Sequence, residues 1–147
     1  IPAPVATPIA RPAGERTPPC VLVGSAADAA AGTQIRHALP EMPAGRLVDL
    51  IGRTSLAQLA GVLACADVCV CNDSGAMHLA AAIGARVVAT FGPTNEKATS
   101  PLARPGIRAD VLTHDVWCRP CMLRECPIDH RCMTGLTPDR VFDAVVR

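Results

Sequence analysis

Residues 67–84 read DVCVCNDSGAMHLAAAIG, and this stretch decides the fold that the sequence predicts. Residues 68–71 form a short apolar run, which is typical of a strand buried on both faces. Four residues that favour turns and helix caps follow it. Residues 77–83 then have the composition of a helix, and Gly84 is the expected stop. We therefore predict a strand, a tight turn and a helix whose N-terminus lies at the carboxyl end of the strand, where open α/β sheets bind ligands.

The predicted turn carries groups that suit a phosphate. Free backbone N–H groups and the positive end of the helix dipole face the ligand crevice in such a unit. Ser74 can add a hydroxyl donor, Gly75 lets the backbone approach closely, and His78 follows one helical turn later. The competing interpretation is that Asp73 or Ser74 only caps the helix and that His78 is an ordinary, partly exposed histidine.

Strand and helix patterns alternate along the rest of the chain. Apolar runs predict further strands at residues 20–23, 47–51, 86–91 and 111–112. Helical patterns are predicted at residues 26–39, which Pro40 and Pro43 end, after the capping pair Ser55 and Gln58, and after Thr137 and Pro138. This alternation predicts an α/β fold with a doubly wound parallel sheet and helices on both of its faces. The first strand is not followed by Gly-x-Gly-x-x-Gly, which argues against a classical nicotinamide or flavin domain.

Composition excludes several classes of partner. The chain has 147 residues, a net charge of +1 and no dense basic stretch, so we expect no nucleic-acid partner. Aromatic residues make up 2% of the chain, which leaves few platforms for stacking bases. No apolar run approaches the roughly 20 residues that a membrane span needs.

The N-terminal segment differs from the rest in composition. Residues 1–19 contain six prolines, which predicts an extended linker or the edge of another domain. We predict that residues 20–147 form one domain. The chain has no initiator Met and no signal-like segment, so we expect it to be a fragment of a longer protein.

Four of the eight cysteines cluster near the C-terminus with the spacing C-x2-C-x4-C-x5-C, and His130 lies inside the cluster. They are Cys118, Cys121, Cys126 and Cys132. Four thiolates at this spacing can bind Zn²⁺ or an iron–sulfur cluster. Two alternatives stay open, namely disulfides that form on purification in air and free thiols in a packed loop.

Three motifs occur in order along the chain. They are GRTSL at residues 52–56, NDSGAMHLAAA at residues 72–82 and FGPT at residues 91–94. Together they resemble the heptosyltransferases of lipopolysaccharide synthesis, glycosyltransferase family nine. Residues 118–133 and 137–141 are also similar to many bacterial members, so the resemblance runs from about residue 20 to the end.

The resemblance implies a GT-B architecture with two Rossmann-like domains. The C-terminal one, which this chain matches, would bind the nucleotide-sugar donor, typically ADP-heptose. The missing N-terminal one would bind the lipid A–core acceptor and supply the catalytic base, so the chain alone would bind donor and transfer nothing. The family would be cytoplasmic and bacterial, with peripheral association at the inner face of the inner membrane.

The predicted donor site combines residues that follow several strands. Cleavage of the sugar–diphosphate bond places charge on the leaving phosphate, which Ser74, Gly75 and His78 would stabilise. Asp73 has three open roles: capping its helix, holding a sugar hydroxyl, or binding a metal ion such as Mg²⁺ at the diphosphate. Residues at the other strand ends complete the set: Gly24, Ser25, Arg53, Thr54 and Thr94. For Gly24, Ser25 and Thr94 a purely structural turn is the alternative. No obligatory cofactor is expected.

Two other functions remain as alternatives. A UDP-sugar 2-epimerase or another GT-B enzyme places a similar Ser-Gly turn at a diphosphate, although His78 and the cysteine cluster argue against it. The second alternative is a non-catalytic module on an α/β scaffold that binds a metal ion or another protein.

Overall fold

The computed structural model describes residues 19–39 and 45–147. The predicted proline-rich linker lies outside the described residues except for Pro19, and so do Pro40 and Pro43. The described chain divides into two compact units at the boundary between Leu59 and Ala60. Each unit contains a parallel sheet.

The first unit contains a two-stranded sheet. β1 (Cys20–Leu22) pairs in parallel with β2 (Leu47–Asp49), so that Cys20 lies opposite Leu47. A short 3₁₀ turn (Ala26–Asp28) and α1 (Ala29–Ala38) lie between them in the chain. Arg36 of α1 forms an ion pair with Asp49, which joins the helix to the end of β2.

A second helix, α2 (Leu56–Ala64), runs across the boundary of the two units. Its predicted capping box is confirmed. The Ser55 N–H donates to Gln58 Oε1 at 2.8 Å, and the Gln58 N–H donates to Ser55 Oγ at 3.3 Å. These two bonds satisfy N–H groups that the first helical turn leaves without partners.

The second unit is built on a three-stranded parallel sheet in the order β3 (Cys69–Asn72), β4 (Val87–Phe91) and β5 (Ala109–Thr113). β4 is the middle strand, and four of its five side chains are fully buried: Val87, Val88, Ala89 and Phe91. This near-continuous apolar run is expected of a parallel strand that is covered on both faces. The core of the unit therefore lies around β4.

The helix α3 (Gly75–Ile83) connects β3 to β4. Its buried residues Met77, Ala80 and Ala81 recur at helical spacing, so one face packs inward. Gly84 ends the helix with φ of +91°, a left-handed conformation that glycine adopts without strain. The strand, turn and helix predicted from residues 67–84 are confirmed.

Two short helices were not predicted. They are α4 (Glu96–Thr99), which follows the turn after β4, and α5 (Arg131–Thr134), which contains the last of the four clustered cysteines. Each has four residues, too few to produce a recognisable period in the sequence. The closing helix α6 (Pro138–Val146) begins as predicted, with Thr137 as its N-cap and Pro138 at its start. No helix among the described residues has both the length and the hydropathy needed to cross a bilayer.

Candidate functional site

In the turn between β3 and α3, the helix start is not capped by a side chain. Ser74 is the N-cap residue of α3, with an extended backbone (φ −157°, ψ 168°), but its side chain makes no capping hydrogen bond. Ser74 and Gly75 are both exposed. A Cβ added at Gly75 would meet no atom within 4 Å, so this point of the backbone is open to an approaching group. The first turn of a nine-residue helix is thus accessible at the carboxyl end of β3.

Asp73 is held by a residue that the sequence did not suggest. Its Oδ2 accepts a hydrogen bond from Thr99 Oγ1 at 3.0 Å, and Asp73 is half-buried. The sequence left three roles open for Asp73, and one of them was capping α3. This contact is not a cap of α3, because the partner, Thr99, lies on α4. The second carboxylate oxygen has no hydrogen bond to the described residues, so it is available to a ligand.

His78 lies on the exposed side of α3. The next residue towards the helix N-terminus, Met77, has an exposed fraction of 0%, while His78 is exposed to solvent. The imidazole makes no hydrogen bond to the described residues. Packing against the sheet is therefore not its role in this structure, and its side chain stands free one turn from Ser74.

A second turn, formed by Gly92, Pro93 and Thr94, follows β4 at the same edge of the sheet. β3 and β4 are in register with Asn72 opposite Thr90, and Thr90 Oγ1 donates to Asn72 Oδ1 at 2.8 Å. Because parallel strands end at a common edge, the Thr94 turn and the Ser74 turn lie on neighbouring strand ends. The Thr94 hydroxyl is buried and has no hydrogen-bond partner among the described residues.

The remaining predicted site residues belong to the first unit. The Gly52 N–H donates to Gly24 O at 2.9 Å, so the turns that follow β1 and β2 are hydrogen-bonded to each other. The Ser25 hydroxyl donates to Asp28 Oδ2 at 2.7 Å, which is a structural use of this side chain. Arg53 is exposed, and Thr54 is half-buried. The structure thus groups Gly24, Ser25, Arg53 and Thr54 in one unit, and Asp73, Ser74, Gly75, His78 and Thr94 in the other.

A family model for glycosyltransferase family 9 (heptosyltransferase) matches residues 9–131. The chain belongs to glycosyltransferase family 9. The resemblance inferred from the three motifs is therefore confirmed. The accessible helix start after β3, with Ser74, Gly75 and His78, lies inside the matched region.

Relatives within family 9 are heptosyltransferases by name. The chain is 37% identical over 100 residues to lipooligosaccharide heptosyltransferase 2 of Campylobacter jejuni, which covers 67% of this chain and 30% of the relative. It is 34% identical over 123 residues to lipopolysaccharide heptosyltransferase 2 of Escherichia coli K12, covering 84% and 35%. This family 9 chain therefore spans about a third of the length of these relatives.

Solved structures agree with this assignment. The structure of E. coli ADP-heptose lipopolysaccharide heptosyltransferase II superimposes with a TM-score of 0.69 at 32% identity, covering 87% of this chain and 36% of that one. The fold is accordingly the Rossmann-like α/β fold of one half of a GT-B glycosyltransferase, as the sequence predicted.

The cysteine cluster of this family 9 chain is spread along a loop before and within α5. All four cysteines are free thiols. Among the described residues, no three His, Cys, Asp or Glu side chains are grouped so that they could hold a metal ion. The geometry therefore gives no support to a metal site, which was one of the three alternatives for Cys118, Cys121, Cys126 and Cys132.

Two of these thiols differ in their chemistry. Cys126 Sγ accepts hydrogen bonds from the backbone N–H groups of Ile128 at 3.5 Å and His130 at 3.3 Å. These bonds favour the thiolate and lower the pKa of the Cys126 thiol. Cys132 is buried, and burial raises the pKa of its thiol.

We expect Cys126 to react with iodoacetamide at lower pH than Cys132. The thiolate is the nucleophile, so the lower pKa and greater exposure of Cys126 should make its alkylation faster by about tenfold or more at neutral pH. Peptide mapping by mass spectrometry of the reduced protein across a pH series measures both rates. Cys126→Ser is the control, in which the early-labelled peptide should disappear. Equal rates, or earlier labelling of Cys132, would contradict the expectation.

Proposed function

We propose that this chain is the donor-binding domain of an enzyme that transfers heptose from ADP-heptose to the inner core of lipopolysaccharide. The observation that carries the proposal is the accessible N-terminus of α3, where Ser74 and Gly75 are exposed and His78 stands free one turn later. The names of the relatives support heptose as the transferred sugar and lipopolysaccharide as the acceptor, and the name of the similar E. coli structure supports ADP-heptose as the donor. Since the chain spans about a third of their length, the acceptor site and the catalytic base are assigned to sequence outside it.

The chemistry of the turn fits a leaving diphosphate. When the bond between sugar and diphosphate breaks, negative charge grows on the phosphate oxygen. Backbone N–H groups at a helix start, a hydroxyl and an imidazole donate hydrogen bonds that strengthen as this charge develops. The β3–α3 turn fixes the orientation of the backbone N–H groups before the donor arrives, so these donors need little reorganisation during the reaction.

Asp73 fits a role towards the sugar better than a role towards the phosphate. A carboxylate repels an anion, but it accepts hydrogen bonds from hydroxyl groups. One Asp73 oxygen is occupied by Thr99, which leaves the other for a sugar hydroxyl. The proposal requires no obligatory cofactor. If Mg²⁺ accompanied the diphosphate, Asp73 would be the carboxylate of this turn available to hold it, which is compatible with the few protein ligands that Mg²⁺ takes.

The proposal places the enzyme on the cytoplasmic side of the inner membrane. Nucleotide sugars are charged donors, and the lipid A–core acceptor is anchored in a bilayer. Transfer between them requires a catalyst that reaches the membrane surface, so peripheral association of the full-length protein is part of the proposal.

Binding of nucleotides tests the proposal. We expect the full-length protein to bind ADP more tightly than AMP by roughly 10- to 100-fold, because hydrogen bonds to charged groups contribute about 1.5–3 kcal/mol. Isothermal titration calorimetry measures both affinities, and ADP-heptose should bind far better than UDP-GlcNAc. Ser74→Ala should reduce the preference for ADP, whereas Thr33→Ala, whose hydroxyl donates to Ala29 O at 3.1 Å within α1, is the matched control. Equal affinities for AMP and ADP would overturn the proposed diphosphate site.

A further inference from the structure

The turn after β4 is hydrogen-bonded along its whole length by the cysteine-rich loop, here defined as residues 115–130. Arg119 Nε donates to Gly92 O at 2.9 Å, and Arg119 Nη2 donates to Thr94 O at 3.3 Å. The backbone N–H of Met122 donates to Pro93 O at 2.9 Å. All three carbonyl groups of the turn therefore bond to the same loop, and Arg119 supplies two of the three donors.

The environment of Arg119 makes these bonds strong. Its side chain has an exposed fraction of 7%, and Nη2 also forms an ion pair with Glu96 Oε2 at 2.8 Å. Hydrogen bonding lowers the pKa of Glu96, first through its own backbone N–H and then through Arg119, so the carboxylate is charged at neutral pH. A buried guanidinium with one charged and two carbonyl acceptors is a rigid anchor, because its planar group carries several donors in a set geometry.

The same contacts extend to Asp73. Glu96 is the first residue of α4, and Thr99, three residues later, donates to Asp73 Oδ2. The ion pair with Glu96 thus connects Arg119 to α4, and α4 contacts Asp73 through Thr99. Arg119 is bonded directly to the Thr94 turn and, through α4, to the Ser74 turn.

These bonds also determine which way the backbone N–H groups of the turn point. In a trans peptide the N–H points away from the preceding carbonyl oxygen. Since the carbonyls of Pro93 and Thr94 face the loop, the N–H groups of Thr94 and Asn95 face away from it. The buried hydroxyl of Thr94 has no partner among the described residues. Neither N–H group donates a hydrogen bond to another described residue, so the turn presents unpaired donors on the side away from the loop.

We propose that Arg119 is a positioning residue for donor binding. It fixes the turn of residues 92–94 in the position in which Thr94 contacts the nucleotide sugar. This inference rests on the proposed function, because it assumes that the donor binds at this edge of the sheet. Arg119 itself does not touch the donor. The cysteine-rich loop, by this assignment, supports the donor site instead of forming a separate metal module.

The test compares Arg119→Ala with Arg131→Ala in the full-length enzyme. Arg131 is the matched control because its guanidinium pairs with Asp129 in the same part of the chain and is 41% exposed. We expect Arg119→Ala to raise the KM for the donor, and the Kd for ADP, by about 10- to 100-fold, the cost of a small misplacement in a preorganised site. Arg131→Ala should leave both unchanged. A purely structural role for Arg119 would lower the Tm and the active fraction while KM stayed at the wild-type value, and that result would overturn the proposal.

If Arg119→Ala is poorly stable, two further measurements distinguish a positioning role from a loss of stability. Arg119→Lys keeps the charge but cannot reach three acceptors, so its KM should lie between those of the wild type and the alanine variant. Millimolar guanidinium should partly restore the low KM of Arg119→Ala and have no effect on Arg131→Ala. Absence of both effects would overturn the proposal.

A double-mutant cycle with Thr94→Val separates direct from indirect action. If Arg119 acts through Thr94, the double variant should bind donor about as weakly as the weaker single variant, whereas independent residues would give additive losses. Additive losses would contradict the positioning role. Failure of the proposed function is recognised separately, because the wild-type protein would then not bind ADP or ADP-heptose.

Discussion

His78→Ala should slow sugar transfer by the full-length enzyme about 100-fold, as the loss of one hydrogen-bond donor to a developing oxyanion does. The contact would strengthen as charge grows on the leaving diphosphate, so the loss should appear mainly in kcat, with the KM for the donor changed far less. His78 is exposed on α3 and makes no hydrogen bond to the described residues, so its removal should not disturb the fold. Steady-state kinetics with ADP-heptose, together with the Tm of the variant, measure both effects.

Two variants control this experiment. His78→Gln keeps a hydrogen-bond donor and should recover part of the rate. His37→Ala removes an exposed histidine from the last turn of α1 and should leave kcat unchanged. If His78→Ala lowered the Tm and left kcat of the folded fraction near the wild-type value, His78 would be removed from the site, and the backbone donors and Ser74 would remain to hold the phosphate.

Phe91→Ala should destabilise the chain by about 3–5 kcal/mol, which is the usual cost of removing a buried aromatic ring. Phe91 has an exposed fraction of 0% at the end of β4, the middle strand of the second unit. Because small domains have a total stability of about 5–15 kcal/mol, this change removes a large part of it.

Denaturant unfolding followed by circular dichroism measures this loss. Leu102→Ala is the matched control, since Leu102 is 89% exposed and its truncation should change the stability by less than about 0.5 kcal/mol. Similar shifts of the midpoint for the two variants would contradict the position of the core around β4.

The local pattern of residues 67–84 was sufficient to predict β3, the turn and α3. An apolar run, four turn-forming residues and a helix closed by Gly84 determine their backbone through short-range effects, and these act within a few residues of one another. The same holds for the Ser55 and Gln58 capping box and for Thr137 at the start of α6, where donor and acceptor are three residues apart. The three ordered motifs then identified the family. The roles of the site residues themselves stay predictions until ligands and variants are measured.

Long-range contacts decided what the sequence pattern could not show. Thr99 bonds to Asp73 across 26 residues, and Arg119 bonds to Gly92 across 27 residues. No periodicity or spacing in the sequence indicates these partners. Thr99 lies in a helix of only four residues, and Arg119 lies between two cysteines. The sequence determined which side chains stand at the ends of β3 and β4, whereas the partners of those side chains were decided only when the sheet and the cysteine-rich loop came together. The physical reason is that a hydrogen bond depends on distance and direction in space, and for residues this far apart along the chain only the tertiary fold determines either.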